Sequence, residues 1–224
     1  FSIKSQLGNP STLLNAGETT NFIFRIENKA FSRQEMEQIN SLFVKRGQKL
    51  SKDIRGRIGA IRENEGKLTF VGTQKRIFGN NLILIDSLLP KILSFMVLTF
   101  YSSNYSKVED LVQIAENENP LCFDTSNKHL FYRYKIKRFL TDIALGMMPS
   151  TVWTGEYDAT GGYLIVKSDG EVLCYHIYNK SEFENYLLSN TKLDTASSSR
   201  HGFGEIYEDD GQFYLKLNLQ IRFI

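Results

Sequence analysis

The shortest segment whose residues could take part in catalysis is Ser2-Ile3-Lys4. It lies within residues 1–5, where apolar and polar side chains alternate. Alternation is typical of a β-strand, so Ser2 and Lys4 are expected to share one face. A lysine near carboxylates that hold a divalent cation can orient water and stabilise the charge that builds on a phosphate during phosphodiester hydrolysis. Here a hydroxyl takes the place of the neighbouring acid. On these three residues alone, a solvated lysine is the commoner interpretation.

A dense run of positive charge follows at residues 45–57, KRGQKLSKDIRGR. Such a run can neutralise phosphates and release their counterions, which gives nucleic-acid affinity that does not depend on base sequence. The alternative is a solvated helix face. The candidate phosphate contacts, set against the single acid Asp53, are Lys45, Arg46, Lys49, Lys52, Arg55 and Arg57.

The polar run SSSRH at residues 197–201 is the candidate for reading bases. Arg200 carries a guanidinium, whose fork of donors matches guanine O6 and N7 in the major groove. The small serines beside it permit close approach to a base. For His201 a base contact and a local hydrogen bond within the loop remain equally open.

Composition restricts the class of protein further. With 42% hydrophobic residues among 224, the chain can bury a substantial core. Net charge is only +2, but residues 1–62 hold 11 Lys and Arg against 5 acids, which predicts one positive face. Two cysteines, Cys122 and Cys174, are too few for a disulfide framework or a thiolate zinc site, so a reducing, cytoplasmic setting is expected.

The apolar stretch at residues 81–101 has the length of a membrane span, but Asp86, Pro90 and Lys91 interrupt it. Charges and proline are costly in hydrocarbon, so we expect a buried helix over residues 82–100, kinked at Pro90. No membrane association is predicted. The chain begins with Phe1 inside an apolar run and carries no recognisable leader, which suggests that upstream sequence has been removed.

The elements that must position these side chains alternate between strand and helix. Ser32 and Glu35 have the spacing of a capping box, which predicts a helix over residues 32–43. Residues 6–20 are predicted to be an ordered loop. Further strands are predicted at residues 1–5, 21–27 and 67–71, and further helices at residues 50–62, 107–117, 130–145 and 181–189.

The last third is predicted to be mainly antiparallel. Asp169-Gly170 and Asp210-Gly211 suit the positive φ angles of hairpin turns, between residues 163–166 and 172–178 and between 205–208 and 212–223. The long final strand alternates strictly, so one face should join the core. The other face is polar enough to meet DNA, and its members are Tyr214, Lys216, Asn218, Gln220 and Arg222.

Two long segments carry a resemblance to a known family. Residues 1–26, FSIKSQLGNPSTLLNAGETTNFIFRI, and residues 181–223, SEFENYLLSNTKLDTASSSRHGFGEIYEDDGQFYLKLNLQIRF, are similar to the restriction enzymes of the HpaII family. The resemblance implies a type II endonuclease of the PD-(D/E)XK superfamily that requires Mg²⁺ and cuts both strands of a short palindrome, CCGG for the family's namesake. It also implies an α/β fold, with a mixed sheet flanked by helices and an antiparallel hairpin region near the carboxy terminus.

The same resemblance assigns roles to individual residues. Lys4 matches the superfamily's catalytic lysine, and Ser2 stands where that family pattern has an acid. Some members recruit the second carboxylate from further along the chain, and Glu18 is preferred over Glu27 here as the catalytic and metal-binding acid. For both acids an ordinary exposed carboxylate is the alternative. The superfamily's other metal-binding Asp would lie upstream of Phe1.

The implied domain is a single nuclease domain over residues 1–224 lacking its upstream part. It would comprise catalytic-core strands and basic helices in 1–71, a helical middle in 72–150, and antiparallel strands with a DNA-reading loop in 151–224. Its implied partners are double-stranded DNA, a second copy of the chain in a homodimer, and a cognate DNA methyltransferase acting in the same system. A non-catalytic, sequence-specific DNA-binding module is the rival interpretation, and a protein-interaction domain is a third.

Overall fold

The computed structural model describes residues 2–5, 11–157, 162–166, 169–176 and 179–224. Its helices are α1 Arg33–Asn40, α2 Ile54–Glu63, α3 Arg76–Ile85, α4 Leu89–Ser102, α5 Val108–Glu118, α6 Phe131–Ala144, α7 Lys180–Ser189 and α8 Ser198–His201, with a 3-10 helix at Glu18–Thr20. Its strands are β1 Ser2–Ser5, β2 Thr12–Leu14, β3 Asn21–Glu27, β4 Phe43–Arg46, β5 Lys49–Lys52, β6 Lys67–Thr73, β7 Gly162–Val166, β8 Val172–His176, β9 Thr191–Leu193, β10 Ile206–Asp209, β11 Gln212–Asn218 and β12 Ile221–Phe223.

The largest described sheet has the strand order β10-β11-β3-β6 and is antiparallel throughout. β3 is central, and its alternate residues Phe22, Phe24 and Ile26 are buried because they face the helical layer. α4 packs against β11 and β6. Because β11 pairs with β3 and β3 pairs with β6, the first and last thirds of the chain share one sheet and one core.

A smaller sheet holds β1 and agrees with the expected mixed arrangement. β1 runs parallel to β7, β7 runs antiparallel to β8, and α7 contacts β8. Lys4 therefore lies on an outer strand of this described sheet, opposite Ile165. A third sheet has the order β2-β12-β9, and β4 and β5 form a separate hairpin. The α/β expectation, with a mixed sheet and a hairpin region towards the carboxy end, is confirmed.

The predicted capping box at the start of α1 is confirmed. The backbone N–H of Glu35 donates to the Ser32 hydroxyl (3.2 Å), and the Ser32 N–H donates to the Glu35 carboxylate (2.7 Å). Hydrogen bonds from the Lys29 ammonium and from Ser32 lower the pKa of Glu35 to about 2. α1 ends at Asn40, three residues before the predicted end, because Phe43 already belongs to β4.

The expectation of one kinked helix over residues 82–100 is wrong. Two helices, α3 and α4, meet at a bend of 113°. Asp86 breaks the run, since its carboxylate accepts the Leu88 N–H (2.9 Å) and pairs with Lys135, while Pro90 lies in the first turn of α4, where a missing N–H costs nothing. No single described helix is long and apolar enough to span a membrane; α3 and α4 meet that criterion of length and composition only as a bent pair.

The dense basic segment, residues 45–57, contains the start of the helix predicted over residues 50–62, and that start is wrong because Lys49–Lys52 form β5. A turn at Gly47, with φ +60°, reverses the chain between β4 and β5, and the helix begins only at Ile54. Asp53 fixes that start, because its carboxylate accepts the Gly56 N–H at 2.9 Å. The segment therefore divides into a hairpin and a capped helix start.

The hairpins of the last third are present where expected. Asp210 and Gly211 have φ +47° and +70° and join β10 to β11 by a two-residue turn. Val166 pairs with Val172, which confirms antiparallel pairing of the two strands on either side of Asp169-Gly170, while residues 167–168 and 177–178 lie outside the described part. The long final strand is interrupted at Leu219 and Gln220, which separate β11 from β12.

Candidate nucleic-acid interface

Two adjoining clefts separate the β4–β5 hairpin from the segment that carries Arg200. The first, of about 540 Å³, has Phe43 and residues 50–52 on one wall and residues 195–199 on the other. The second, of about 340 Å³, lies between the start of α2 and the loop at residues 103–106. Ile54 and Thr195 line both clefts. The fold thus brings two segments that are far apart in sequence, and that were both expected to contact DNA, onto one groove.

Two cations of the dense basic segment remain at the surface. Lys45 is exposed on β4, and the described side chains include no acid paired with it. Arg55 is exposed and donates to Asn104 Oδ1 (2.6 Å) and to the Ser103 carbonyl, both uncharged acceptors. The side chains of Arg46 and Lys49 lie outside the described part. Lys45 and Arg55 keep a positive charge that an incoming anion can use.

Lys52 is already engaged within the fold. Its ammonium lies 3.0 Å from the Glu205 carboxylate and donates to the Phe203 carbonyl at 3.3 Å. Only 13% of its side chain is exposed, against 52% for Glu205. Lys52 lines the larger cleft, but Glu205 offsets its charge.

Arg57 does not reach the surface. Its side chain is fully buried and donates to the carbonyls of Gly204 (2.5 Å), Leu42 (3.1 Å) and Asn40. Burial lowers the pKa of the guanidinium, and the Glu205 charge 4.0 Å away opposes that effect. The expectation that Arg57 contacts phosphate is therefore not supported, because its donors satisfy backbone carbonyls that would otherwise be orphaned.

The SSSRH run forms the short helix α8, a feature that the polar composition did not predict. The Ser197 hydroxyl accepts the Arg200 N–H at 3.4 Å, and Gly202, with φ +60°, ends the helix. Arg200 is exposed, while His201 is half-buried. This helix holds Arg200 beside the larger cleft, whose wall includes Ser197 and the two serines that follow.

A chain of amide hydrogen bonds connects α8 with Glu18. Asn21 Nδ2 donates to the His201 carbonyl (2.8 Å) and to Gln74 Oε1 (2.8 Å), and Gln74 Nε2 donates to Glu18 (3.3 Å). Lys75 lies 3.7 Å from the same carboxylate, which is exposed. Sequence reasoning missed Asn21 and Gln74, since no local pattern distinguishes an amide that bridges distant segments.

The expectation that the polar face of the final strand meets DNA is wrong for two of its members. Asn218 and Gln220 are 1% and 8% exposed. Asn218 Nδ2 lies within hydrogen-bond reach of the Gly17 carbonyl (2.8 Å) and of Asn21 Oδ1 (2.7 Å), so this amide stabilises the loop that carries Glu18. Arg222 lies 3.0 Å from Asp194. The loop that carries Gly17, rather than solvent, therefore lies against Asn218.

The described residues do not make a complete magnesium site. A hard cation needs several oxygen ligands, and Glu18 has an amide and a lysine beside it. Glu27 accepts from Arg25 (2.6 Å) and Thr69 (2.9 Å), and these hydrogen bonds lower its pKa. Across the described ranges, no group of three or more His, Cys, Asp or Glu side chains is placed to hold a metal.

The catalytic assignments of Ser2, Lys4 and Glu18 stay predictions. β1 carries Ser2 opposite Tyr163 and Lys4 opposite Ile165, but their side chains lie outside the described part. The surroundings of Glu18 and the strand neighbours of Lys4 are therefore known separately.

Comparison with known proteins gives an independent result. The family model described as HpaII restriction endonuclease matches residues 1–223. The type II restriction enzyme HpaII of Haemophilus parainfluenzae is 52% identical over 224 residues, which is 100% of this chain and 60% of that protein. No solved structure matches. The match to the family model extends over almost the entire sequence, and the chain therefore belongs to the HpaII restriction endonuclease family.

Proposed function

We propose that the protein is a type II restriction endonuclease that cleaves double-stranded DNA at a short palindrome, with CCGG as the first sequence to test. Family membership along the whole chain is the observation that carries the proposal. The chain spans 60% of the length of the curated relative, so the activity is proposed for the whole protein. The cleft between two segments with exposed cations supports the same conclusion.

In this proposal the duplex lies along the cleft. The β4–β5 hairpin contacts phosphates through Lys45 and, on the adjoining helix start, Arg55, both of which carry unpaired charge on the surface. Arg46 and Lys49 are proposed for the same role from their position in the hairpin. A two-stranded ribbon has dimensions that fit the major groove. Arg200, exposed on α8 beside the opposite wall, would then read guanine, with His201 next to it.

The proposed catalytic group is Lys4, with Glu18 as the acid that replaces the one missing at Ser2. Mg²⁺ is the proposed cofactor, and its remaining ligands would have to join Glu18 from residues that are not described beside it. The amide chain from His201 through Asn21 and Gln74 holds the Glu18 carboxylate in relation to α8. The same chain of hydrogen bonds would thus hold both α8, which reads the base, and Glu18, which binds the metal.

Two-fold symmetry of a palindrome is most simply matched by a two-fold protein, so a homodimer is proposed. A cognate methyltransferase that protects the host site and a cytoplasmic location complete the proposal. The methyltransferase follows from the need to spare the host's own DNA, and the location follows from the low cysteine count.

The decisive experiment uses the natural full-length protein and two duplexes of equal composition, one with CCGG and one with GGCC. We expect cleavage of the first duplex only, in the presence of Mg²⁺, and binding without cleavage in Ca²⁺. Lys4→Ala and Glu18→Gln should abolish cleavage but retain binding in Ca²⁺. Lys91→Ala, an exposed lysine that lines neither cleft, is the matched control and should cut normally.

The substitution of a hydroxyl for an acid at Ser2 favours one second candidate, a sequence-specific DNA-binding module without catalysis. The same experiment separates the two functions. Selective binding of the CCGG duplex with no cleavage under any divalent cation would support the module. Loss of both binding and cleavage in wild-type protein would contradict both proposals.

A further inference from the structure

Three cations from distant parts of the sequence lie side by side on the structure. Lys107 forms an antiparallel bridge with Lys192 on β9, and Lys192 pairs in register with Arg222 on β12. Residues in register on adjacent strands are about 4.8 Å apart along the sheet and point to the same face. We call these three residues the cation row.

The cation row faces outward. On β9, Thr191 and Leu193 are buried while Lys192 between them is half-buried, and on β12 Arg222 lies between buried Ile221 and Phe223. Lys107 is exposed at the end of the row. The three side chains therefore form one positive strip along the outer surface of the β2-β12-β9 sheet.

Like charges directly opposite each other across strands are destabilising. Arg222 is compensated by Asp194 at 3.0 Å. For Lys107 and Lys192, the described side chains supply no paired acid. The electrostatic repulsion between Lys107 and Lys192 destabilises the free protein. A bound anion would offset this repulsion, because it attracts both ammonium groups at once.

The cation row adjoins the proposed DNA cleft. Ser106, directly before Lys107, and Thr195, just beyond β9, both line the smaller cleft. The Leu193 N–H donates to the Ser106 carbonyl at 2.8 Å, which fixes the row to that edge. Arg55 holds the same loop through Asn104 and Ser103. The positive surface of the cleft therefore continues from Arg55 onto the row.

We propose that the cation row is a phosphate-binding site that extends the DNA interface beyond the cleft and contacts the sugar-phosphate backbone of the duplex without reading its sequence. The inference rests on the proposed function, since it assumes that DNA occupies the cleft. Long lysine side chains with free ammonium groups suit backbone phosphates, which offer charge but no base information. The row also accounts for a lysine pair that is otherwise unfavourable.

The test compares Lys107→Gln/Lys192→Gln with wild type in the natural full-length protein. Binding to CCGG and GGCC duplexes is measured in Ca²⁺ across a salt series. Each phosphate contact contributes about 0.9 to the slope of log affinity against log salt, so the double variant should lose roughly 2 units of slope on both duplexes. Its affinity should fall by about tenfold at low salt, with equal loss for both sequences. Lys91→Gln is the matched control and should leave the slope unchanged.

The melting temperature of the free double glutamine variant supplies a second readout, and it should not fall with DNA affinity. Removal of the repulsion should leave the melting temperature of the free protein unchanged or raised, while DNA binding weakens. Lys107→Arg/Lys192→Arg keeps both charges and should retain the wild-type slope. A merely structural pair would show the reverse, with the glutamine variant less stable and its slope intact.

The outcomes separate this inference from the proposed function. If wild-type protein binds no DNA, the proposed function fails and the cation row loses its ligand. If wild type binds and cuts but the double glutamine variant keeps the full salt slope, the function stands and the cation row is not a phosphate site. If the slope falls by about 2 on both duplexes, the inference is supported.

Discussion

The dense basic segment and the cation row reach a positive surface by opposite routes. Residues 45–57 hold six cations in sequence, yet the fold buries Arg57 and pairs Lys52 with Glu205. The members of the cation row are far apart in sequence. Strand pairing brings together the three segments that carry Lys107, Lys192 and Arg222. A run of charge along the chain is therefore a poor measure of the charge available to a ligand.

The difference has a physical cause in what each cation can contact. Arg57 follows a helix N-cap and points at carbonyls of the connections around Asn40 and Gly204, which need donors. Lys107 and Lys192 lie on an outer face, where no carbonyl or acid among the described residues takes up their charge. A buried cation therefore stabilises the fold through its hydrogen bonds, whereas an exposed cation without a paired acid can bind an external anion.

The largest expected effect is on stability and concerns Arg57→Met. The substitution keeps much of the side-chain volume but leaves buried carbonyls without donors, so the free energy of unfolding should fall by about 3 kcal/mol. Urea denaturation measures it. The salt slope of DNA binding should not change, because the guanidinium is not at the surface. Arg62→Met, on an exposed position of the same helix, should cost far less.

A stable Arg57→Met variant with a reduced salt slope would break the comparison. It would mean that Arg57 swings out to phosphate when DNA arrives and that its carbonyl contacts are dispensable. The dense segment would then act as a unit, as the sequence alone suggests.

The next effect concerns Arg55, which connects the two basic regions. Arg55→Ala removes a positive charge from the cleft and also frees the loop that ends at Lys107. We expect DNA affinity to fall about tenfold, or roughly 1.4 kcal/mol, with little change in stability. Binding by fluorescence anisotropy in Ca²⁺ measures this loss.

A double-mutant cycle with Lys107→Gln sharpens the result. If Arg55 positions Lys107, the two losses in affinity should be less than additive, because the first variant already misplaces the second residue. Full additivity would show instead that Arg55 and Lys107 contact DNA independently.

Local chemistry made a large part of the fold predictable. The Ser32–Glu35 box, the Asp210-Gly211 turn and the strand over residues 21–27 each depend on neighbours within a few residues, and each is confirmed. The errors arose where a polar group acts on the backbone. Asp53 caps α2, so the helix begins at Ile54 instead of at the predicted residue 50, and Asp86 divides the apolar stretch into α3 and α4.

The site was less predictable because its parts meet only in three dimensions. Nothing local marks Asn21 or Gln74 as the bridge between α8 and Glu18, or Asn218 as a buried amide rather than a DNA contact. The two cleft walls were both predicted as DNA-contacting segments, but their adjacency depends on the pairing of β3 with β11, which no periodicity reveals.

A smaller effect concerns Lys52, the cation that the fold pairs with an acid. Glu205→Gln removes the carboxylate 3.0 Å away and leaves the ammonium uncompensated at the cleft. DNA affinity should rise by about threefold, and the salt slope should steepen, because one more cation can meet phosphate. The free energy of unfolding should fall modestly, because Glu205 also compensates the charges of Lys52 and the buried Arg57. Unchanged affinity would place Lys52 outside the interface.

The smallest effect is expected for Lys45→Gln. Lys45 is exposed and makes no described ion pair, so the substitution should not alter the unfolding midpoint. Affinity should fall only about twofold at physiological salt, while the salt slope should decrease by about 1 on CCGG and GGCC duplexes alike. Because the slope counts contacts, it resolves a loss that the affinity barely registers. A slope equal to that of Lys91→Gln would remove the β4–β5 hairpin tip from the interface and leave the cation row as the principal phosphate contact.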